Sequence, residues 1–231
     1  MNTETFANTK IGQVFIRIMA AIMESRFRYR FFGPTRILQG ADIRPGQTVL
    51  EVGCGTGIHL EIFRREGPKV FGVDVSPHML RWAQRRLGKR AQLCLGEAEN
   101  LPFRAKSFDS VALITTLEFI SNPKRAVQEA LRVSRGKVVL GVLNTYSVLG
   151  IIRRLKGRFR PTIYNRAQFY SIWQLRRLIA EVAPEAVADW ASVLVLPVSW
   201  QTRLPRLERR LSFRRNPFGG FLGFKISTKE V

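Results

Sequence analysis

A valine-rich segment that runs directly into three closely spaced glycines most constrains how this chain of 231 residues folds. The segment is Val49-Leu50-Glu51-Val52, and the glycines are Gly53, Gly55 and Gly57. A short apolar run of this kind predicts a buried strand. Glycine lets the backbone adopt positive φ and lets a ligand approach the main chain closely. Because apolar residues recur within 58–63, we expect a helix whose first N–H groups face a bound group.

The spacing of these glycines separates several nucleotide-binding families. The dinucleotide fingerprint G-x-G-x-x-G and the phosphate loop G-x-x-x-x-G-K-[ST] are both absent from this turn. Residues 51–57 have the pattern E-x-G-x-G-x-G instead, which resembles motif I of the class I S-adenosylmethionine-dependent methyltransferases. The glycine spacing and the lack of a Tyr-x-x-x-Lys pair disfavour an NAD(P) dehydrogenase.

Three further segments extend this resemblance in the order that the family has them. Residues 70–76 resemble the second strand with its terminal acid, 96–103 the loop beneath the adenine, and 107–114 the fourth strand. The resemblance covers roughly residues 45–143 and is closest to the ubiquinone/menaquinone-type branch of small-molecule methyltransferases. It implies an α/β, Rossmann-like fold with a seven-stranded, mostly parallel sheet, an antiparallel final strand and helices on both faces. It also implies S-adenosyl-L-methionine as the cofactor.

The matched residues have physical tasks in binding such a cofactor. Asp74 is predicted to accept hydrogen bonds from two ribose hydroxyls, and Glu51 to bind the ammonium or ribose end. Glu97 and the Ala98 N–H are predicted to hold the adenine, with a solvated loop acid as the alternative for Glu97. The predicted cofactor-binding residues are Glu51, Gly53, Cys54, Gly55, Thr56, Gly57, Asp74, Val75, Glu97, Ala98 and Thr115.

The segment after the fourth strand departs from the family pattern. Many relatives carry two adjacent histidines there, whereas this chain has Thr115-Thr116-Leu117-Glu118-Phe119. Methyl transfer needs a base only if the acceptor must lose a proton. Glu118, predicted at the exposed end of the strand, is the predicted catalytic residue, and a cofactor-side or helix-start acid is an equal alternative. Tyr146, Tyr164 and Tyr170 are predicted to line the acceptor pocket, with packing as the alternative.

The lack of a recognisable base near the fourth strand leaves a second function open, a non-catalytic or regulatory S-adenosylmethionine-binding module attached to a membrane or nucleic acid through residues 150–215. The net charge is +21, and residues 150–215 hold 14 Lys and Arg against 4 Asp and Glu. Such a field attracts polyanions, although a solvated basic surface is the simpler alternative. Ile152, Leu155 and Phe159 are interleaved with the cations at helical spacing. This pattern, and the lack of a [DNS]-P-P-[YFW] motif, favours an anionic membrane or an amphiphilic acceptor over nucleic acid.

The chain divides into three predicted parts. Residues 1–44 form an N-terminal helical lid, with membrane attachment as the alternative. Residues 45–143 form the cofactor-binding core, and 144–231 form a substrate-side insertion and the C-terminal part of the same domain. The last two strands are predicted at Ala191–Val198 and Phe221–Ser227.

Composition limits the kinds of site and the cellular location that the sequence predicts. Two cysteines cannot build a disulfide framework, and no Cys or His cluster predicts a metal site. His59 and His78 are predicted surface residues. Met1–Lys10 lacks signal-peptide features, and no apolar run reaches about 18 residues. We therefore expect a cytoplasmic protein, with peripheral membrane attachment as an alternative, that acts on a small-molecule acceptor. Nothing in the sequence indicates an oligomeric state.

Overall fold

The computed structural model describes residues 43–147, 150–151, 155, 165–193 and 215–228. The predicted lid, Tyr164 and most of the basic segment 150–164 lie outside these residues. In chain order the elements are β1 (Thr48–Val52), α1 (Ile58–Arg65), β2 (Lys69–Asp74), α2 (Pro77–Leu87), β3 (Gln92–Leu95), β4 (Ser110–Ile114), α3 (Pro123–Val133), β5 (Lys137–Leu143), α4 (Ile172–Val182), β6 (Val187–Val193) and β7 (Phe221–Ser227). In this described part no helix has the length and apolarity to cross a bilayer.

The strands form one sheet in the order β3-β2-β1-β4-β5-β7-β6. The pairs from β3 to β5 are parallel, whereas β7 is antiparallel to both β5 and β6. The predicted seven-stranded, mostly parallel sheet is therefore confirmed. The carboxyl ends of the five parallel strands meet at one edge, here called the carboxyl edge, and the opposite edge is called the amino edge.

Helices cover both faces of the sheet because neighbouring side chains of a strand point to opposite faces. Val49 packs in the same apolar cluster as Leu60 and Phe63 of α1. Leu50 packs in the other cluster, which includes Val127 of α3 and Leu175 of α4. The prediction of helices on both faces is confirmed.

Local sequence signals define the helix ends. Ser76 caps α2 by accepting a hydrogen bond from the Met79 N–H at 3.4 Å, and Pro77 occupies the first turn. Ser171 and Gln174 form a reciprocal capping box at the start of α4, as the serine at this position predicts. These caps begin both helices at the carboxyl edge, where the chain leaves β2 and β5.

The sixth strand begins four residues before its predicted start at Ala191. It runs from Val187 and pairs with β7 through Val193, and 194–198 of the predicted range lie outside the described residues. As the last strand of the sheet, β6 pairs on one side only and tolerates Ala188 and Asp189. The sequence pattern pointed instead to the more apolar residues that follow.

Candidate cofactor and acceptor site

The glycine turn after β1 lies at the carboxyl edge between β2 and the loop that follows β4. Gly53, Gly55 and Gly57 adopt positive φ values of 69°, 53° and 74°. The N–H groups of Gly53 and Cys54 donate to the Val73 carbonyl at 2.8 and 3.0 Å. These bonds fix the turn against the end of β2. Thr56 is half-buried, and Gly57 is the N-cap of α1.

Thr116 packs so closely beneath the turn that residue 53 has no room for a side chain. A Cβ atom on Gly53 would contact the Thr116 side chain, with Oγ1 only 2.8 Å away. The Thr116 hydroxyl donates to the Val52 carbonyl at 2.9 Å, which holds it in this position. The preceding residue, Thr115, has a left-handed φ of 55° and donates its N–H to the Gly141 carbonyl at 2.7 Å.

Asp74 ends β2 with its carboxylate directed at the glycine turn. Oδ2 accepts a hydrogen bond from the Gly55 N–H at 2.7 Å, and Oδ1 accepts one from the Ser76 N–H at 2.9 Å. Burial raises the pKa of Asp74, and the Ser76 and Gly55 amides counter part of that rise. Each carboxylate oxygen has a second lone pair. Asp74 is therefore anchored and still able to accept hydrogen bonds from ligand hydroxyls.

Glu51 is buried beside the same turn. Its Oε1 lies 2.7 Å from Nδ1 of His59, whose side chain is only 12% exposed. Burial raises the pKa of Glu51, the His59 ring lowers it, and the charge of Asp74 adds to the rise. Oε2 is buried and has no hydrogen-bond partner of ordinary geometry among the described residues, although the Leu60 amide is near enough to lower the pKa. A buried carboxylate oxygen in this state is suited to an N–H or ammonium group of a ligand.

The prediction that His59 is a surface residue is therefore wrong. Glu51 shares a strand face with Val49, and that face packs against α1. His59 is the second residue of α1, which begins directly after the glycine turn. Glu51 and His59 therefore meet between β1 and α1. The alternation of side chains between the two faces of β1 was the signal in the sequence that could have predicted this contact.

Apolar and polar groups follow β2 and β3 at the same edge. Val75 and Leu95 are exposed although both are large apolar residues. Glu97 is exposed and forms a backbone bridge with Asn100, whereas Ala98 packs against the core. Exposed apolar side chains next to a carboxylate and a backbone turn can hold a flat base.

The loop at residues 96–103 is clamped to α3 by side chains that sequence reasoning missed. Oε2 of Glu129 accepts a hydrogen bond from the Leu101 N–H at 2.8 Å. Arg132 donates to the Phe103 carbonyl at 2.8 Å and pairs with Glu129 at 2.7 Å. The Arg132 hydrogen bond is the main cause that lowers the pKa of Glu129. Glu129 and Arg132 are thus positioning residues for the loop predicted to meet the adenine.

Glu118 lies where the loops after β4 and β5 meet, a region here called the acceptor side because the predicted acceptor residues follow these strands. Its predicted exposure is wrong. The side chain is buried, at 1% exposure, because a short 3₁₀ helix at Leu117–Phe119 turns the chain back under the end of β5. Oε1 accepts a hydrogen bond from the Leu143 N–H at 2.7 Å, and the Glu118 carbonyl accepts one from Gln168 at 2.8 Å. Glu118 therefore joins the loops that follow β4 and β5.

The described tyrosines do not converge on one pocket. Tyr170 is buried, and its hydroxyl donates to the Leu117 carbonyl at 3.2 Å. Burial and the charge of Glu118 raise the pKa of Tyr170 to about 12. This position favours the packing alternative for Tyr170. Tyr146 is exposed, with its ring 5.7 Å from that of Trp173, and its acceptor role stays a prediction.

Asn144 ties the acceptor side together and was not predicted. Its Nδ2 donates to the carbonyls of Pro217 and Gly219 at 2.6 and 2.8 Å, and its Oδ1 accepts the Tyr146 N–H at 3.1 Å. The loop after β5 is thus joined to the start of β7. The described residues contain no group of three or more His, Cys, Asp or Glu side chains suited to a metal ion.

Comparison with known proteins places this geometry in a family. Residues 50–140 match the family described as "Methyltransferase domain". A demethylmenaquinone methyltransferase of Tropheryma whipplei is 31% identical over 161 residues, which are 65% of this chain and 63% of that protein. Residues 50–140 are therefore similar to methyltransferase domains, and the chain is similar to demethylmenaquinone methyltransferases. The predicted resemblance, including its menaquinone-type branch, is confirmed.

Solved structures support the fold of this methyltransferase domain. An S-adenosylmethionine-dependent methyltransferase of Thermotoga maritima, described as a possible histamine N-methyltransferase, has a TM-score of 0.71. It is 23% identical, and the match covers 94% of this chain and 99% of that one. The magnesium protoporphyrin IX methyltransferase of Synechocystis with bound S-adenosylhomocysteine is 14% identical with a TM-score of 0.58, covering 94% and 84%.

The match to the curated relatives is partial. The chain spans 62% and 63% of the lengths of an uncharacterised protein of Methanocaldococcus jannaschii and of the Tropheryma enzyme. The family match covers residues 50–140, which lie within the predicted cofactor-binding core at 45–143. The family match therefore leaves the acceptor undefined.

Proposed function

We propose that this chain transfers a methyl group from S-adenosylmethionine to a small-molecule acceptor by in-line displacement. The observation that carries the proposal is the buried Oε2 of Glu51, which lacks a hydrogen-bond partner among the described residues and lies beside the glycine turn. Glu51 and Asp74 thus present two carboxylates to one ligand. S-adenosylmethionine has an ammonium group that can bind Glu51 and ribose hydroxyls that can bind Asp74.

The described residues offer hydrogen-bonding groups for the polar parts of this cofactor, in Glu51, Asp74 and the glycine turn. Held there, S-adenosylmethionine would supply a methyl group on a sulfonium, activated for displacement by an acceptor. Gly55, where an added Cβ would meet nothing within 4 Å, keeps the main chain open to close approach, and Val75 and Leu95 offer apolar contacts for a base. The protein contributes alignment of the reactants and exclusion of water, which can supply roughly 7–11 kcal/mol.

We infer that Glu118 acts on the acceptor side. Its contact with the Leu143 amide holds the beginning of the loop that carries Asn144 and Tyr146. Similarity to demethylmenaquinone methyltransferases makes a demethylated quinone in its reduced, nucleophilic quinol form the first acceptor class to test. Such an acceptor has a polar ring and an apolar tail, which agrees with the amphiphilic acceptor predicted from the sequence.

Titration calorimetry with S-adenosylmethionine, S-adenosylhomocysteine and NAD tests cofactor choice. We expect micromolar binding of both sulfur compounds and no binding of NAD, because Asp74 and the glycine turn suit a single nucleoside. Tight NAD binding without a response to the sulfur compounds would contradict the proposal. Formation of S-adenosylhomocysteine in the presence of a demethylated quinol, kept reduced during the assay, tests turnover. Binding without turnover on any acceptor would favour the non-catalytic module instead.

A further inference from the structure

Large apolar side chains are exposed unevenly over the described surface. The exposed ones are Val75, Leu95, Tyr146, Ile151, Leu155, Trp173, Val187 and Phe218. Val187 lies at the amino edge, because it pairs with Ser227, which in turn pairs with Lys137 at the start of β5. Val75 and Leu95 lie at the opposite, carboxyl edge, where the candidate cofactor site accounts for them. The cofactor site does not account for the other exposed apolar side chains that lie next to the end of β5.

Two of these side chains, Tyr146 and Trp173, are in ring contact, and they are here called the apolar patch together with Ile151, which is exposed in the segment that follows Tyr146. The Thr145 N–H donates to the Tyr170 carbonyl at 3.0 Å, which brings the loop after β5 beside the start of α4. The rings of Tyr146 and Trp173 then meet edge to face at 5.7 Å. The Ile151 N–H donates to the Ser147 carbonyl at 2.9 Å, so Ile151 lies one helical turn after Ser147, the residue that follows Tyr146.

Two arginines lie beside Trp173 of the apolar patch. Arg176 and Arg177 follow Trp173 by three and four residues on α4 and so share its exposed face. Arg177 is paired with Glu181 at 3.1 Å, whereas Arg176 is exposed. In the sequence Ile151 is also followed closely by Arg153, Arg154 and Lys156, which lie outside the described residues. The patch thus belongs to the most basic part of the chain.

We propose that the apolar patch docks the protein on an anionic membrane surface, with the carboxyl edge of the sheet facing the lipid. Tryptophan and tyrosine are the side chains that concentrate at membrane–water interfaces. Exposed apolar groups insert between headgroups, while nearby cations are attracted to anionic lipid. An uncharged protein partner would require no such excess of arginine and lysine. The inference is independent of the identity of the methyl acceptor.

Sedimentation of the full-length protein with lipid vesicles tests this docking. We expect the parent protein to bind vesicles that contain phosphatidylglycerol, and to bind pure phosphatidylcholine vesicles at least about tenfold more weakly. Added salt should weaken the binding, because the screening length falls below about 8 Å above physiological ionic strength.

Trp173→Ser should weaken binding about tenfold. Arg176→Gln should weaken it about fivefold, as expected for one cation near an anionic surface.

Val187→Ser is the matched control because both Trp173 and Val187 are 60% exposed but lie at opposite edges of the sheet. It should bind vesicles like the parent protein. Unchanged affinity for S-adenosylhomocysteine shows that each variant is folded. Equal loss of binding in Trp173→Ser and Val187→Ser would overturn the proposal. Equal binding to neutral vesicles, stronger retention on DNA at the same salt concentration, or no vesicle binding by the parent protein would also overturn it.

Discussion

The cofactor side and the acceptor side of the carboxyl edge use buried polar groups for different purposes. On the cofactor side, Asp74 bonds to the Gly55 amide, 19 residues away, and Glu51 retains an oxygen without a partner among the described residues. On the acceptor side, Glu118 bonds to the Leu143 amide across 25 residues, and Asn144 reaches the Gly219 carbonyl across 75.

This difference separates ligand binding from loop positioning. Groups on the cofactor side keep hydrogen-bonding capacity that a ligand can satisfy, at a cost to the stability of the protein alone. Groups on the acceptor side hold segments that are distant in the chain. Substitutions on the cofactor side should therefore change affinity, whereas those on the acceptor side should change stability and transfer.

The largest effect is expected from Gly53→Ala. A residue with a Cβ at this left-handed φ costs about 1–2 kcal/mol, and its contact with Thr116 adds an overpacking cost of about 1–3 kcal/mol. Because the turn must shift to relieve this strain, its N–H groups should no longer face the ligand correctly. We expect the affinity for S-adenosylhomocysteine, measured by calorimetry, to fall at least about hundredfold. Gly46→Ala is the control, because Gly46 has φ +84° with open space around it at the amino edge. Normal binding by Gly53→Ala would show that the turn does not shape the site.

A smaller loss of affinity is expected from Asp74→Ala. Removing one hydrogen bond to a charged group costs about 1.5–3 kcal/mol, so binding should weaken at least about tenfold. Asp109→Ala is a matched control, since Asp109 accepts the Thr48 N–H at 2.7 Å near the amino edge. It should reduce stability and leave affinity for S-adenosylhomocysteine unchanged. Equal loss of affinity in both variants would mean that Asp74 at the carboxyl edge has no more direct effect on cofactor binding than Asp109 at the amino edge.

The cofactor side was largely predictable from the sequence because its parts are close in the chain. The turn at 53–57 and Asp74 occupy consecutive β–turn–α units, so their spacing alone places them at one edge. The acceptor side was less predictable for the opposite reason. The burial of Glu118 depends on a 3₁₀ turn and on β5, and Asn144 depends on the start of β7. Neither contact leaves a periodic pattern in the sequence.

Glu118 tests the acceptor side directly. In Glu118→Gln, the amide oxygen can still accept the Leu143 N–H, so affinity for S-adenosylhomocysteine should stay nearly unchanged while methyl transfer slows. Glu118→Ala leaves that N–H without its acceptor and should reduce the free energy of unfolding by about 1–3 kcal/mol. Calorimetry, single-turnover rates and urea unfolding measure the three quantities. Loss of cofactor binding in Glu118→Gln would assign Glu118 to the cofactor side instead.

The smallest effect should appear in the pH dependence of stability. Burial raises the pKa of folded Glu51 above its ordinary value of 4.5, so the folded protein binds more protons than the unfolded chain in the range above 4.5. The free energy of unfolding should therefore fall as pH rises through this range. Glu51→Gln should show a shallower fall in urea unfolding at several pH values, together with weaker cofactor binding. Asp74, whose pKa is also raised, titrates in both proteins, so the difference between them reports Glu51. Identical pH profiles would mean that the His59 ring fully offsets the effect of burial on the pKa of Glu51. This carboxylate would then not lower the free energy of unfolding of the protein without ligand.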